Sequence, residues 1–271
     1  MGDARTFKLA LAQCGYPLDR DVLAQVEAHA GAAQQAGAQI LAFPENLMAP
    51  RNLTADEVAQ IAESLDGPFA QGIASIAAGR GLWIVFTMYE HNPSGRPYNT
   101  AVVMSSDGSV AGSYRKCHLY DAHGIFESDR TSAGSHFAAP IATPFCTIGL
   151  GICYDLRFPE LARSLAVAGA DLILFPAAWH DGPHKEGHWQ TLLRARAIEN
   201  ECYVAGICHA GKRFVERSMV SGPLGTTLEA EVLAPIAGSD DRLFVTEIDP
   251  SAIAAARDAM PVFEHRRPEL Y

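Results

Sequence analysis

The 271 residues of this chain predict an α/β fold with mixed rather than purely parallel sheets, and three observations carry that prediction. Apolar, β-prone runs alternate with helical patterns along the whole chain. Two of those runs, Asn99–Ser105 and Val110–Tyr114, are separated by Ser106-Asp107-Gly108, a hairpin turn that makes neighbours antiparallel. No glycine-rich phosphate loop follows a strand; Gly149-x-Gly151 lies inside one, which argues against a nucleotide-binding sheet.

Phe7–Gln13 and Gln39–Phe43 read as strands, flanking an alanine-rich helix from Asp21 to Ala36 that Gly37 stops. A second helix is expected over Gly67–Ala78, where Pro68 suits the first turn. Strand Leu82–Tyr89 and the hairpin follow. The second half repeats the alternation: strand Phe145–Ile152, helix Phe158–Ala168 ended by Gly169, strand Asp171–Phe175, helix Lys185–Asn200 and strand Cys202–Cys208. Ser218–Ser221 and Arg242–Ile248 read as later strands, and a helix over Pro250–Ala259 precedes a basic, aromatic tail ending at Tyr271. Without a linker or low-complexity stretch, residues 1–271 read as a single domain.

Composition excludes several classes of function. The formal net charge is −10 and the basic residues are scattered, so no nucleic-acid partner is expected. No apolar run reaches the length of a membrane span, and Met1 to Lys8 carries no secretory signal. Six irregularly spaced cysteines fit free thiols in a reducing, cytoplasmic compartment rather than a disulfide framework.

One of those cysteines differs from the rest. In Thr147-Ile-Gly-Leu-Gly-Ile-Cys153-Tyr-Asp-Leu-Arg-Phe-Pro-Glu160 an apolar strand ends at Cys153 and a helix-starting sequence follows. Free N–H groups at such a turn are expected to lower a thiol pKa and to hold a developing oxyanion. Cys14, Cys117, Cys146, Cys202 and Cys208 read as inert, packed thiols. Two further strand ends carry reactive groups: Phe43-Pro44-Glu45 and Tyr114-Arg115-Lys116-Cys117-His118-Leu119. A carboxylate, an ammonium and a thiol make a complete acyl-transfer set. Glu45 takes the thiol proton, Cys153 attacks, and Lys116 with the backbone N–H of Tyr154 holds the oxyanion.

With these three motifs the chain resembles the carbon–nitrogen hydrolase (nitrilase) superfamily over essentially its whole length. Phe126-Glu127-Ser128, Pro176-Ala177-Ala178-Trp179 and Arg194-Ala195-Arg196-Ala197-Ile198-Glu199-Asn200 match as well. The resemblance implies a four-layer α-β-β-α sandwich with two mixed β-sheets, a homodimer or higher homo-oligomer, and chemistry without metal or cofactor. It implies that Glu127 joins the site by positioning Lys116 or the attacking water; a loop carboxylate paired with Arg130 is the plainer reading. Lys116–His123 and Trp179–Trp189 look like the amidase branch, closest to deaminated-glutathione amidases and ω-amidases, which act on small-molecule amides beside an acidic group.

Trp179 and His180 are the expected substrate-binding residues. His180, His184 and His188 stand four apart, yet Gly182-Pro183 and Gly187 are expected to interrupt a helix there, so no metal site is assigned. Arg196 and Glu199 read as a structural ion pair. One segment departs from the family pattern: Glu216 stands where the first glycine of Gly-x-Ser-x-x-x-(Asp/Asn)-Pro-x-Gly is common, and Gly222 replaces the acidic or amide residue. An N-carbamoyl-amino-acid hydrolase, aliphatic amidase or nitrilase, an acyl transferase, and a non-catalytic scaffold stand as rival readings.

Overall fold

The structure, a computed structural model, describes residues 6–15, 21–49, 53–236 and 239–270; Met1–Arg5 and Tyr271 therefore lie outside it. Two mixed sheets face one another. The first has seven strands in the order Glu231–Leu233, Arg242–Ile248, Phe7–Gln13, Ile40–Ala42, Trp83–Glu90, Tyr98–Met104 and Val110–Arg115. The second has five: Met219–Ser221, Tyr203–Cys208, Leu172–Ala177, Thr147–Leu150 and Ile141–Ala142.

The strands read as unbroken apolar runs because both faces are covered. Successive side chains point to opposite faces. Leu9 and Leu11, Ile40 and Ala42, Val85, and Ala101 and Val103 therefore enter the core between the sheets, with Ile148, Leu150, Leu172 and Leu174. The alternate residues Ala10, Ala12, Leu41, Phe43, Ile84 and Phe86 pack outward against Val26, Ala30 and Ala33 of helix Val22–Gln35 and Ile73 and Ala77 of helix Pro68–Arg80. On the far side, helices Pro159–Val167 and Lys185–Asn200 cover the second sheet. Gly206 permits that contact, since a Cβ there would stand 2.3 Å from the Trp189 ring. The four layers are the expected α-β-β-α sandwich.

Asp21 caps the first helix through Leu23 and Ala24 N–H groups, and Gly37 leaves it at φ +74°. Helix Lys185–Asn200 runs through Gly187, so only Gly182-Pro183 interrupts the chain there, contrary to expectation. Helix Ala55–Ile61, the hairpin Asp121–Ala122/Ile125–Phe126 and strands Ile141–Ala142 and Glu231–Leu233 form in addition to the elements the sequence predicts. No helix among the described residues is long and apolar enough to cross a membrane.

Topology gathers the site. Ile40–Ala42 is parallel to Trp83–Glu90, and two antiparallel steps make Val110–Arg115 run the same way. Their C-terminal ends share one edge. In the second sheet Thr147–Leu150, Leu172–Ala177 and Tyr203–Cys208 are parallel to one another. Glu45, Lys116, Cys153 and Trp179 each follow such a strand end.

Candidate active site

Glu45 is held by both sheets. Phe43 N–H bonds Val85 O at 2.8 Å, continuing the pairing past the strand, and the Thr87 hydroxyl bridges Pro44 O and Leu47 N–H at 3.2 Å each. Behind it, His209 Nε2 lies 2.6 Å from the Glu45 carbonyl oxygen. Ala178 N–H, at the end of the facing sheet, donates to Glu45 Oε2 at 2.9 Å. Lys116 N–H bonds Asn99 O at 2.9 Å, which fixes where its side chain enters. Glu127 begins a 3₁₀ turn directly after the small hairpin.

Three of the expected residues form one buried cluster. Lys116 Nζ donates to Glu45 Oε1 and to Glu127 Oε2, both at 2.8 Å. Tyr120 N–H also donates to Glu127 Oε2 at 2.8 Å. Glu127 is thus a partner of Lys116; Arg130 instead reaches the Leu53 carbonyl at 3.5 Å. Asn99, which sequence reasoning missed, sets its Nδ2 at 2.9 Å from Glu45 Oε1 and 3.2 Å from Glu127 Oε1. A polar Asn at the mouth of an apolar strand was its only signal.

Cys153 occupies a sharp turn at φ +46°, a conformation that costs a non-glycine residue about 1 kcal/mol or more. Asp155, also missed, is fully buried and fastens that turn. Its Oδ2 accepts from Ile152 N–H at 2.9 Å and Tyr114 O–H at 3.0 Å. Its Oδ1 accepts from His118 N–H at 3.1 Å and lies 2.6 Å from His118 Nδ1. One carboxylate therefore ties the cysteine turn to the segment carrying Lys116. Asp155 N–H closes the first bond of the 3₁₀ turn onto Ile152 O, so the Tyr154 N–H precedes that ladder.

The electrostatics correct one expectation. Cys153 is pushed well above its ordinary 9.0, by burial first and then by the charge of Glu45, which outweigh the pull of Lys116. Burial and the Glu45 carboxylate thus favour the protonated thiol at rest. Burial alone would raise Glu45, yet Lys116, the Ala178 N–H and the Cys153 thiol hold it below 4.5. Burial would likewise lower Lys116, but Glu127 and Glu45 raise it well above 10.5. The cluster thus rests as an ionised carboxylate beside an ammonium and a neutral thiol.

These groups open into one cavity of about 500 Å³, whose wall also includes Trp179, His180, Arg130, Arg157 and Lys185. Trp179 is buried, with its Nε1–H on Lys185 O at 3.1 Å and the Arg157 guanidinium 4.9 Å from its ring centre. His180 bridges Phe214 in an antiparallel pair. His184 precedes helix Lys185–Asn200 and His188 lies within it, so the three histidines share no helix face, and no metal-holding group of side chains occurs among the described residues. The Arg196–Glu199 pair forms at 3.0 Å. Glu216 takes φ +47°, the conformation a glycine adopts freely, and its carboxylate accepts from Gly211 N–H.

The family model described as carbon-nitrogen hydrolase matches residues 8–258. The chain belongs to the carbon–nitrogen hydrolase family and is an enzyme of that class. Among its relatives is the deaminated glutathione amidase of Escherichia coli O157:H7, 34% identical over 228 residues that cover 84% of each chain. The NitFhit protein of C. elegans superposes with a TM-score of 0.85 at 31% identity, over 98% of this chain and 66% of that longer one. An amidase from Nesterenkonia sp. AN1, solved with the acetamide moiety of fluoroacetamide added covalently at its active-site cysteine, gives a TM-score of 0.77 at 26% identity, covering 97% and 95%.

Proposed function

We propose that this chain is a thiol amidohydrolase that cleaves the C–N bond of small carboxylic amides through a thioester on Cys153. The observation that carries the reading is the cluster in which Lys116 Nζ stands 2.8 Å from both Glu45 and Glu127 in the cavity that Cys153 lines. A neutral thiol needs a base at the moment of attack, and Glu45 is the ionised group bonded toward it.

The reaction runs in two halves. The Cys153 sulfur bonds the amide carbon as its proton passes to Glu45. The oxygen that becomes negative is held by the Lys116 ammonium and the Tyr154 N–H; one such donor is worth about 3–4 kcal/mol of barrier. The C–N bond breaks as Glu45 returns the proton to the departing ammonia or amine. Water then gives a proton to Glu45 and its oxygen to the thioester carbon, releasing the acid and restoring the thiol. Glu127 keeps Lys116 charged and aimed. These side chains supply nucleophile, base and oxyanion donor, so no metal or cofactor is required.

The best-supported substrate is an amide beside an acidic group, of the deaminated-glutathione or ω-amidase kind. Likeness to the Escherichia coli amidase supports this, as do Arg130, Arg157 and Lys185 on the cavity wall, which suit an anion despite the chain's net charge of −10. Trp179 and His180 complete the substrate wall. Residues 1–271 act as one domain, a reading supported by pairing of Phe7–Gln13 with Arg242–Ile248. Val167 and Ile198, 51% and 52% exposed on the outer helices, favour a homodimer through that layer. Free thiols throughout the described residues favour a cytoplasmic location.

Release of ammonia or amine from a panel of amides tests the reading. Turnover of amides of dicarboxylic acids, and none by Cys153→Ala, is expected. Carbon dioxide release from N-carbamoyl amino acids, with those amides untouched, would replace it with the carbamoyl-hydrolase reading.

A further inference from the structure

Lys116 does not hold the two glutamates alone. The bonds from Lys116 to Glu45 and Glu127 are closed into a ring by Asn99, whose single nitrogen reaches both carboxylates at 2.9 and 3.2 Å. Asn99 is 2% exposed, on the strand face that also carries Ala101 and Val103 into the core. Register places it there, since its carbonyl accepts the Lys116 N–H that starts the lysine's entry into the site. Facing two carboxylate oxygens, the amide must present its NH₂ group; the carbonyl end would be repelled. Both amide hydrogens are then used, one for each carboxylate.

Two carboxylates sharing one ammonium repel, and such a pair ordinarily relieves itself by taking up a proton. Resting on the proposed mechanism, we propose that Asn99 is a positioning residue of the reaction: by donating to both carboxylates without adding charge, it lets Glu45 stand beside Glu127 and remain the base that takes the Cys153 proton. The titratable and charged groups around Glu45 are Lys116, Glu127, Cys153, Tyr89 and Arg130, with His209 behind its backbone carbonyl. Among them, Lys116 and Arg130 supply positive charge, and Arg130 bonds the Leu53 carbonyl at 3.5 Å.

The test is the pH dependence of kcat/KM for Asn99→Leu and Asn99→Asp, alone and combined with Glu127→Gln. Asn99→Leu keeps the branched outline and removes both donors; Asn99→Asp keeps the shape, removes the donors and adds a carboxylate, and its single-variant profile serves if the first does not fold. A bond to a charged group is worth about 1.5–3 kcal/mol, or roughly 10- to 100-fold. Each single variant is expected to lose 10- to 100-fold in kcat/KM at neutral pH, with kcat taking most of the loss and the acid limb of the profile moving up by about one pH unit or more. For Asn99→Leu in the Glu127→Gln background, where no second charge needs accommodation, the acid limb should no longer move, whereas Asn99→Asp brings a carboxylate of its own and should still move it. A wild-type profile in both Asn99 variants would overturn the inference, as would the same shift of Asn99→Leu in both backgrounds. Turnover by Cys153→Ala would instead sink the underlying mechanism, so the two failures are distinguishable.

Discussion

Removing the Asp155 carboxylate should damage both stability and catalysis, through its grip on two distant segments. Asp155 is fully buried and takes bonds from Ile152 N–H, Tyr114 O–H and His118 N–H, with His118 Nδ1 a fourth contact at 2.6 Å. Burial and the Asp155 charge raise the Tyr114 phenol, which keeps it a donor. In Asp155→Ala three donors lose their acceptor inside the protein, at about 1–3 kcal/mol each when buried. Part of that penalty relaxes where the 26%-exposed His118 side chain admits water, so about 4 kcal/mol is expected. Asp155→Asn keeps one acceptor oxygen and should cost about 2 kcal/mol. Against a usual total of about 5–15 kcal/mol, the alanine variant is large but foldable. Freed from Ile152, the Cys153 turn should also drift, and a displacement of about 1 Å costs roughly 10²-fold in rate. Urea unfolding read beside kcat measures both losses. An Asp155→Ala enzyme within about 1 kcal/mol of wild type, with unchanged kcat, would refute the reasoning.

Lys116→Ala should lose turnover and destabilise the protein by about 3–5 kcal/mol, because it strands two buried carboxylates; a urea midpoint equal to wild type would contradict this. Glu45→Gln should slow amide turnover by about 10²–10⁴-fold yet speed alkylation of Cys153 by iodoacetamide at fixed pH, since the lost charge is one that raises the thiol; slower alkylation, followed by mass, would reverse the sign. Burial pushes Cys146, Cys202 and Cys208 to about 12. The folded state therefore keeps protons that the unfolded chain sheds near 9.0. Stability is full below pH 9 and should fall toward pH 12, by about 1.4 kcal/mol per thiol per pH unit; urea midpoints under reductant that stay level between pH 8 and 10.5 would count against it.

How far the chain could be read depended on where its signals were local. Lys185–Asn200 matches its predicted bounds because Gly182-Pro183 precedes it, and Phe7–Gln13 and Arg242–Ile248 match theirs because apolar runs end at polar residues. Glu45, Lys116 and Cys153 stood out for the same reason, each interrupting an apolar run at its end. Helix Ala55–Ile61 escaped because it is short and polar, although Thr54 and Glu57 form a capping box in which Thr54 N–H donates to Glu57 at 2.7 Å. Two- and three-residue strands exist only through their partners. Asn99 and Asp155 become functional only when register brings them under groups 54 and 37 positions away, Glu45 and His118. The state of the Cys153 thiol was misjudged because it depends on charges from three separate segments, whereas the turn suggested only its own dipole.

The thioester itself is the most direct test. The enzyme is mixed with a small amide, quenched in acid within a turnover and measured by intact mass, with peptide mapping. An adduct of the acyl mass on the Cys153 peptide, absent from Cys153→Ala, is the predicted result. Turnover without any adduct, or hydrolysis that persists in Cys153→Ala, would contradict the assignment of Cys153 as nucleophile.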